Sequence, residues 1–345
     1  MHRYYCRFEL DKIMEVFISF LKKQKNALTK ALPLMAFVVP LLWLYLLDAG
    51  SFELMWKGRT FQLFFMWLIA LELILSWETI QPNKMENLTS AKTLSFLATL
   101  LLPTMYVVLA NYLGLNSAIV EASQQIGITW SESMALSTEY LAFAVFFCLM
   151  IFLQFGKKGL KDFSVPAFFL GIVGSLYTID NVFPHGQFTP FQLLVPTTAT
   201  LAANVLNLIG YQTSLSTASM MPRLIATDPV NPLRTATFDI AWPCAGIESL
   251  LIFTIVVLLF LKRLPMSWKA KAAYFAVGAS VTYLINILRI AAIFTIGING
   301  GNVQLFHLYY GPLYSIAWIV CYPLIILGSR RLWLEIANKR GIKIA

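Results

Sequence analysis

Residues 272–296 read AAYFAVGASVTYLINILRIAAIFTI, a run of twenty-five positions with a single charge, Arg289. At about 1.5 Å per residue a helix of this length reaches roughly 37 Å, more than the ~30 Å hydrocarbon core of a bilayer. Only a helix satisfies its own backbone there, so the run predicts a membrane-spanning helix. Reading outward gives eight such spans: Ala31–Leu47, Thr60–Ile80, Leu94–Leu113, Ala135–Phe155, Ser164–Val182, Pro243–Leu261, Ala270–Ile296 and His307–Leu327. Across 345 residues the chain is 58% apolar and 12% charged, with a mean hydropathy of +0.70. That charge is about half of a soluble domain's, and the low polarity excludes a disordered chain. Four cysteines in this length exclude a small disulfide scaffold. The expected fold class is an all-α polytopic membrane protein with about eight transmembrane helices.

The net charge of +9 would suggest nucleic acid in a soluble protein, but its placement gives another reason for it. With the N-terminus inside, 21 of the 26 lysines and arginines fall in cytoplasmic segments. Lys57, Arg59, Arg223 and Arg234 remain outside, and Arg289 lies within a span. The positive-inside rule then orients the chain in the plasma membrane with both termini cytoplasmic, and no nucleic-acid partner is needed. Phe188–Tyr211 could serve as a ninth span, yet counting it would move Lys157, Lys158 and Lys161 outside. It is therefore laid on the outer surface as an amphipathic segment before the sixth span, where Pro196, Asn204 and Asn207 are tolerated. Residues 183–242 become a long outer loop, a length that points to function.

The organisation expected is then a cytoplasmic tail over 1–30, a five-helix membrane region over 31–182, the outer loop over 183–242, a three-helix region over 243–327 and a basic tail over 328–345. Within the first tail, Phe8–Leu21 alternates apolar and charged residues at helical spacing, as an amphipathic anchor does.

Polar groups inside spans are costly and mark function by default. Arg289 stands about two turns below the outer end of its helix; it either snorkels to the interface or points into the bundle. Thr282, Asn286 and Arg289 at i, i+4 and i+7 share one face, which favours the bundle. Cys244, in the run WPCAGIES at 242–249, follows Pro243, a residue preorganised for a helix start. Cys244 is expected in the first helical turn, where the dipole and a nearby arginine favour the thiolate, although a cysteine is also a small hydrophobe. His307 opens the last span and reads either as an interfacial residue or as a base. The three sit at one depth on consecutive helices, which supplies a nucleophile, an anion-stabilising donor and a proton acceptor. Glu248, one turn below Cys244, would orient these groups or neutralise Arg289. Glu72 is an intramembrane carboxylate with no evident partner, and Asp180 and His185 read as solvated. Arg223, Asp228, Arg234 and Asp239 in the outer loop, and Tyr310 in the aromatic belt of the last span, are placed to contact a substrate or are simply exposed. Histidines far apart and the lack of any Cys-x-x-Cys argue against a metal site, and no cofactor motif is present.

The segments around Cys244, Asn286–Ile290 and His307 together resemble the three signatures of the exosortase/archaeosortase family, and Trp242–Ser249 resembles its thaumarchaeal branch most closely. The resemblance covers about 183–327 and includes Asn207–Tyr211. It implies a membrane-embedded cysteine transpeptidase that uses no cofactor. Its partners would be surface proteins with a C-terminal sorting tail, made of a short box, one transmembrane helix and a basic cluster. By that resemblance Cys244 cleaves near the box on the outer face, Arg289 stabilises the oxyanion or thiolate, His307 is the general acid/base, and a membrane lipid accepts the new C-terminus. Two departures stand out: Ala245 replaces the serine of many bacterial members, and His307 the arginine of some archaeal ones. A multi-spanning transporter or a membrane acyltransferase, with Arg289 and Glu248 lining a polar path, is the competing reading, although no inverted repeat is found.

Overall fold

The computed structural model describes residues 27–54, 56–83, 90–183, 194–216 and 221–339. The expected anchor at Phe8–Leu21 and the residue His185 lie outside the described residues. The chain divides into two compact units, Met1–Val182 and Phe183–Ala345.

The first unit is helical: α1 (Ala27–Leu47), α2 (Thr60–Leu75), α3 (Ala91–Tyr112), α4 (Leu115–Gln125), α5 (Met134–Asp162) and α6 (Ser164–Val182). α4 was not expected; Gly114, at φ +79°, turns the chain into it straight after α3. Its core is aromatic, with Phe37 meeting Phe65 and Phe143 edge-on at 5.2 and 5.4 Å. Such ring pairs add specificity beyond the area they bury. Charges at one end of these helices are paired rather than solvated. Arg59 donates to both carboxylate oxygens of Glu139, at 2.9 and 3.0 Å. Gln62 donates to the same carboxylate at 2.6 Å. Asp180, expected to be solvated, is buried and forms a 2.8 Å ion pair with Lys57. The ammonium of Lys57 also lies 3.7 Å from the centre of the Trp130 ring. The correction follows from desolvation: a lysine drawn under an aromatic ring needs a carboxylate beside it.

The second unit contains α7 (Leu194–Leu208), strands β1 (Gln212–Ser216), β2 (Arg223–Thr227) and β3 (Thr235–Asp239), then α8 (Ile247–Arg263), α9 (Trp268–Ile298) and α10 (Gly311–Lys339). The strands form one antiparallel sheet in the order β1-β2-β3. The chain is mostly helical, as expected of an all-α polytopic membrane protein, and within it the long loop before α8 folds around this small sheet. The strands are short, and their period-2 pattern is carried largely by threonine, serine and alanine. Leu224, Ala226 and Ala236 are buried on one face, while Thr235, Thr237 and Asp239 are exposed on the other. Phe238 packs edge-on against Phe294 of α9 at 4.9 Å. The Asp228 carboxylate accepts from the N–H groups of Val230 and Asn231, which folds the β2–β3 turn. α7 buries Val195, Thr198, Ala199, Ala202, Ala203 and Leu206. Thr198 shares a 2.8 Å hydrogen bond with Tyr283 of α9.

Six helices among the described residues are long and apolar enough to cross a membrane: Ala27–Leu47, Ala91–Tyr112, Ser131–Asp162, Ser164–Val182, Trp268–Ile298 and Leu313–Trp333. The second and sixth expected spans form α2 and α8, of 16 and 17 residues. At about 1.5 Å per residue each is roughly 25 Å long, below the full ~30 Å of hydrocarbon. α8 is nonetheless interior. Its buried residues, Ser249, Leu251, Phe253, Ile255, Val257, Leu259 and Leu261, fall at every second position. Steps of two residues alternate between nearly opposite sides of a helix, so α8 is covered on two sides, by α9 and α10. Phe253, Val257 and Leu261 pack with Ile319, Tyr322 and Ile326.

Gly278 of α9 makes that approach possible, since a Cβ there would lie 2.4 Å from the Phe253 ring and 2.5 Å from Tyr322. Gly278→Val should destabilise this three-helix unit by about 1–3 kcal/mol through overpacking. A lower thermal unfolding midpoint in detergent checks it, and an unchanged midpoint would mean that the three helices are not so closely packed.

Candidate active site

The turn that carries Cys244 is set by its neighbours. Trp242–Ala245 is a single 3-10 turn with Pro243 at its start, and the Cys244 N–H donates to the Ala241 carbonyl at 3.0 Å. Trp242 and Ala245 are buried, whereas Cys244 between them is exposed. Gly246 follows at φ +93°, ψ 8°, and α8 begins only at Ile247. Cys244 is thus not in the first turn of α8, as the sequence suggested. The left-handed residue at 246 ends one turn and restarts the chain as a helix, a conformation that glycine adopts without strain.

Asn286 fixes that turn from α9. It is 2% exposed, and its Nδ2 donates to the Cys244 carbonyl at 3.0 Å. A Cβ at position 246 would stand 3.0 Å from the carbon and nitrogen of the same amide. Gly246 therefore serves twice, by taking the left-handed conformation and by leaving room for Asn286. The polar face expected on this helix does turn inward: Thr282 is fully buried and accepts from the Trp318 indole of α10 at 3.1 Å.

One turn further along α9, Arg289 reaches the start of α10. Its Nη2 donates to the His307 carbonyl at 3.0 Å. Its Nε is buried and has no hydrogen-bond partner among the described residues. Gly311 admits the side chain, because a Cβ there would be 2.5 Å from Nε. His307 lies in a π-helical turn, Phe306–Tyr310, ahead of the spanning part of α10, and its side chain is exposed. Arg289 acts electrostatically on Cys244, Glu248 and His307 alike, so the expected group is assembled around one guanidinium. Glu248, in the first turn of α8, makes no contact ion pair with Arg289 among the described residues and balances its charge through space.

The protonation states differ from the thiolate favoured by the sequence reading. Cys244 is accessible, yet enough protein surrounds it that burial pushes its thiol up from 9.0, while the Arg289 charge works in the opposite direction. His307 is pulled below its ordinary value, by burial first and then by Arg289. Both shifts favour the uncharged forms, a thiol and a neutral imidazole. No hydrogen bond joins them, so proton transfer requires a small approach or a bound substrate.

The substrate-contact candidates are spread out. Asp239 is tied to Arg223 by two hydrogen bonds of 2.7 and 2.9 Å on the exposed face of the sheet. Arg234 sits in the turn at the far end of β3, about 17 Å along a five-residue strand from the Cys244 end. Tyr310 is exposed and stacked near Phe306, with ring centres 6.5 Å apart.

A protein-family model described as transmembrane exosortase matches residues 56–325. The chain belongs to that family. The match runs from the loop before α2 into α10, well beyond the stretch over which the three short motifs resembled it. No curated protein and no solved structure gives a significant match. In this exosortase-family membrane protein, motif reading alone would have missed Gly246 and Gly311. Each follows a candidate residue closely, after Cys244-Ala245 and four positions beyond His307, and that placement was the available signal.

Because Arg289 lowers the Cys244 thiol and burial outweighs it, alkylation by iodoacetamide should climb only above pH 9.0, and Arg289→Gln should move the rise higher still. Peptide-resolved mass spectrometry across a pH series checks this. A plateau of full reactivity near pH 7 would show a preformed thiolate instead.

Proposed function

We propose that this exosortase-family protein is a cysteine transpeptidase that removes the C-terminal sorting tail of surface proteins on the outer face of the plasma membrane. The observation that carries the reading is the hydrogen bond from Asn286 to the carbonyl of Cys244. It holds an accessible thiol beside Arg289, which in turn binds the backbone of His307. A scaffold or transport path has no need to fix the backbone of an exposed cysteine next to an arginine whose Nε has no hydrogen-bond partner among the described residues.

In this mechanism Cys244 Sγ attacks the scissile carbonyl carbon and its proton passes to His307. Charge develops on the carbonyl oxygen within reach of the Arg289 donors, where a preorganised cation is most effective. Collapse breaks the C–N bond, His307 returns the proton to the departing amine, and the tail leaves. The acyl group then passes to an acceptor hydroxyl or amine, whose proton His307 takes and hands to the departing Cys244 sulfur, restoring the thiol and the neutral imidazole. A membrane lipid is the acceptor that best suits a site at this depth, since it shares the plane of the substrate and is held at high effective concentration. A water-poor setting favours transfer over hydrolysis.

The distribution of basic residues supports the orientation. Lys262 and Arg263 end α8, Lys269 and Lys271 begin α9, and Arg330 and Arg331 lie late in α10. These ends face the cytoplasm by the positive-inside rule, which leaves Cys244, Arg289 and His307 toward the outside. The motif at Trp242–Ser249 supports placement in the thaumarchaeal branch.

Incubation of the purified enzyme with a tail-bearing substrate should release the tail. Cys244→Ala should abolish release, while Arg289→Gln and His307→Ala should each lower kcat by about 10²–10³. Release that persists in Cys244→Ala would remove the proposal.

A further inference from the structure

β3 is an outer strand of the three-stranded sheet, and its free edge has a defined polarity. In an antiparallel ladder, successive residues alternate in the neighbour that their N–H and C=O groups face. The Ile240 N–H donates to the Pro222 carbonyl at 2.9 Å, and the Asp228 N–H to the Arg234 carbonyl at 3.0 Å. Positions 234 and 240 therefore face β2. So do 236 and 238, given the register Ala226↔Ala236 and Leu224↔Phe238. The backbone groups of Thr235, Thr237 and Asp239 point the other way, where the sheet has no strand and, among the described residues, no backbone hydrogen bond reaches them. Open edges are usually blunted by charged side chains, lysine above all, by proline or by a bulge. β3 reads Thr-Ala-Thr-Phe-Asp in unbroken register, with no lysine, proline or bulge, and its one charge, Asp239, is paired with Arg223 of β2.

What distinguishes this edge from that of β1 is where it leads. β3 leads within three residues into the turn that carries the nucleophile, with Asp239 five positions before Cys244. A peptide on this edge has its backbone held in the extended form that exposes a carbonyl to attack. We infer that the free edge of β3 receives the substrate segment just before the scissile bond as a fourth, extended strand, delivering that bond to Cys244. This inference rests on the peptidase reading above. Strand addition binds through main-chain groups and so accepts varied side chains, as an enzyme serving many surface proteins requires. The strand is laid parallel to β3. A substrate runs from its outer domain toward its own transmembrane helix, and β3 runs from the outer turn at 228–234 toward α8. Five residues, about 17 Å, set the length of the paired segment.

An ester scan of the substrate tests this on the native enzyme. In peptides spanning the cleavage site, each of the five amides before the scissile bond is replaced in turn by an ester, which removes one N–H donor. KM should rise roughly tenfold at every second position and stay unchanged at those between, with kcat nearly constant. A benzophenone placed mid-segment should crosslink to residues 235–239 rather than 212–216. Cys244-dependent cleavage with no alternation in KM, or crosslinking to 212–216, would overturn the edge assignment and leave the peptidase reading standing. Loss of Cys244-dependent cleavage itself would overturn both.

Discussion

The hydrogen bond from Asn286 to the carbonyl of Cys244 is the constraint on which the second unit depends. It joins the middle of α9 to the turn before α8, and the bond can form only because position 246 has no side chain and takes a left-handed conformation. The net worth of one such bond is modest, about 1 kcal/mol. Its larger effect is on register. With Asn286 fixed against residue 244, Arg289 falls one turn nearer the end of α9, level with the start of α10, and Gly311 leaves the space through which it reaches the backbone of His307. Below this point the helices close on each other around Gly278, Phe253 and Tyr322. The packing that makes the unit rigid thus also sets the positions of its reactive groups.

Arg289 is the costly part of the arrangement. A guanidinium within a spanning helix is unfavourable by about 2.5–3.5 kcal/mol on insertion scales. Direct pairing would reduce that cost, and the first unit shows how it is done, with Arg59 held by both oxygens of Glu139. Among the described residues Arg289 has no such partner. Glu248 balances its charge from a distance, Nη2 binds one carbonyl, and Nε has no hydrogen-bond partner among the described residues. In the proposed reaction, an arginine kept in this state would stabilise the negative charge that develops on the substrate, unlike the arginine of a structural ion pair.

Much of this site was legible in the sequence because membranes make polar residues conspicuous. Asn286 and Arg289 stood out against an apolar run, and Pro243-Cys244 at the start of another. The structure brings these residues together with His307 and Glu248. The sheet was not legible, because its strands are short, poor in large β-branched and aromatic residues, and set in a loop whose β2–β3 turn is folded by the single side chain of Asp228. Asp180 was misread for a related reason: its partner Lys57 lies more than a hundred residues away. The restart of the chain at Gly246 was hidden by Pro243, which at a helix start and in a 3-10 turn looks the same. That difference matters chemically, since it removes Cys244 from the helix terminus, and burial then pushes its thiol up.

In the proposed reaction Cys244 forms a covalent thioester with the substrate. Intact-mass and peptide mapping of wild-type enzyme quenched in acid during turnover of a tail-bearing substrate detects that intermediate. A mass adduct on the Cys244 peptide equal to the substrate minus its tail is expected, removed by hydroxylamine and missing in Cys244→Ala. Tail release at the wild-type rate with no adduct at Cys244, or with an adduct on another residue, would contradict that reaction.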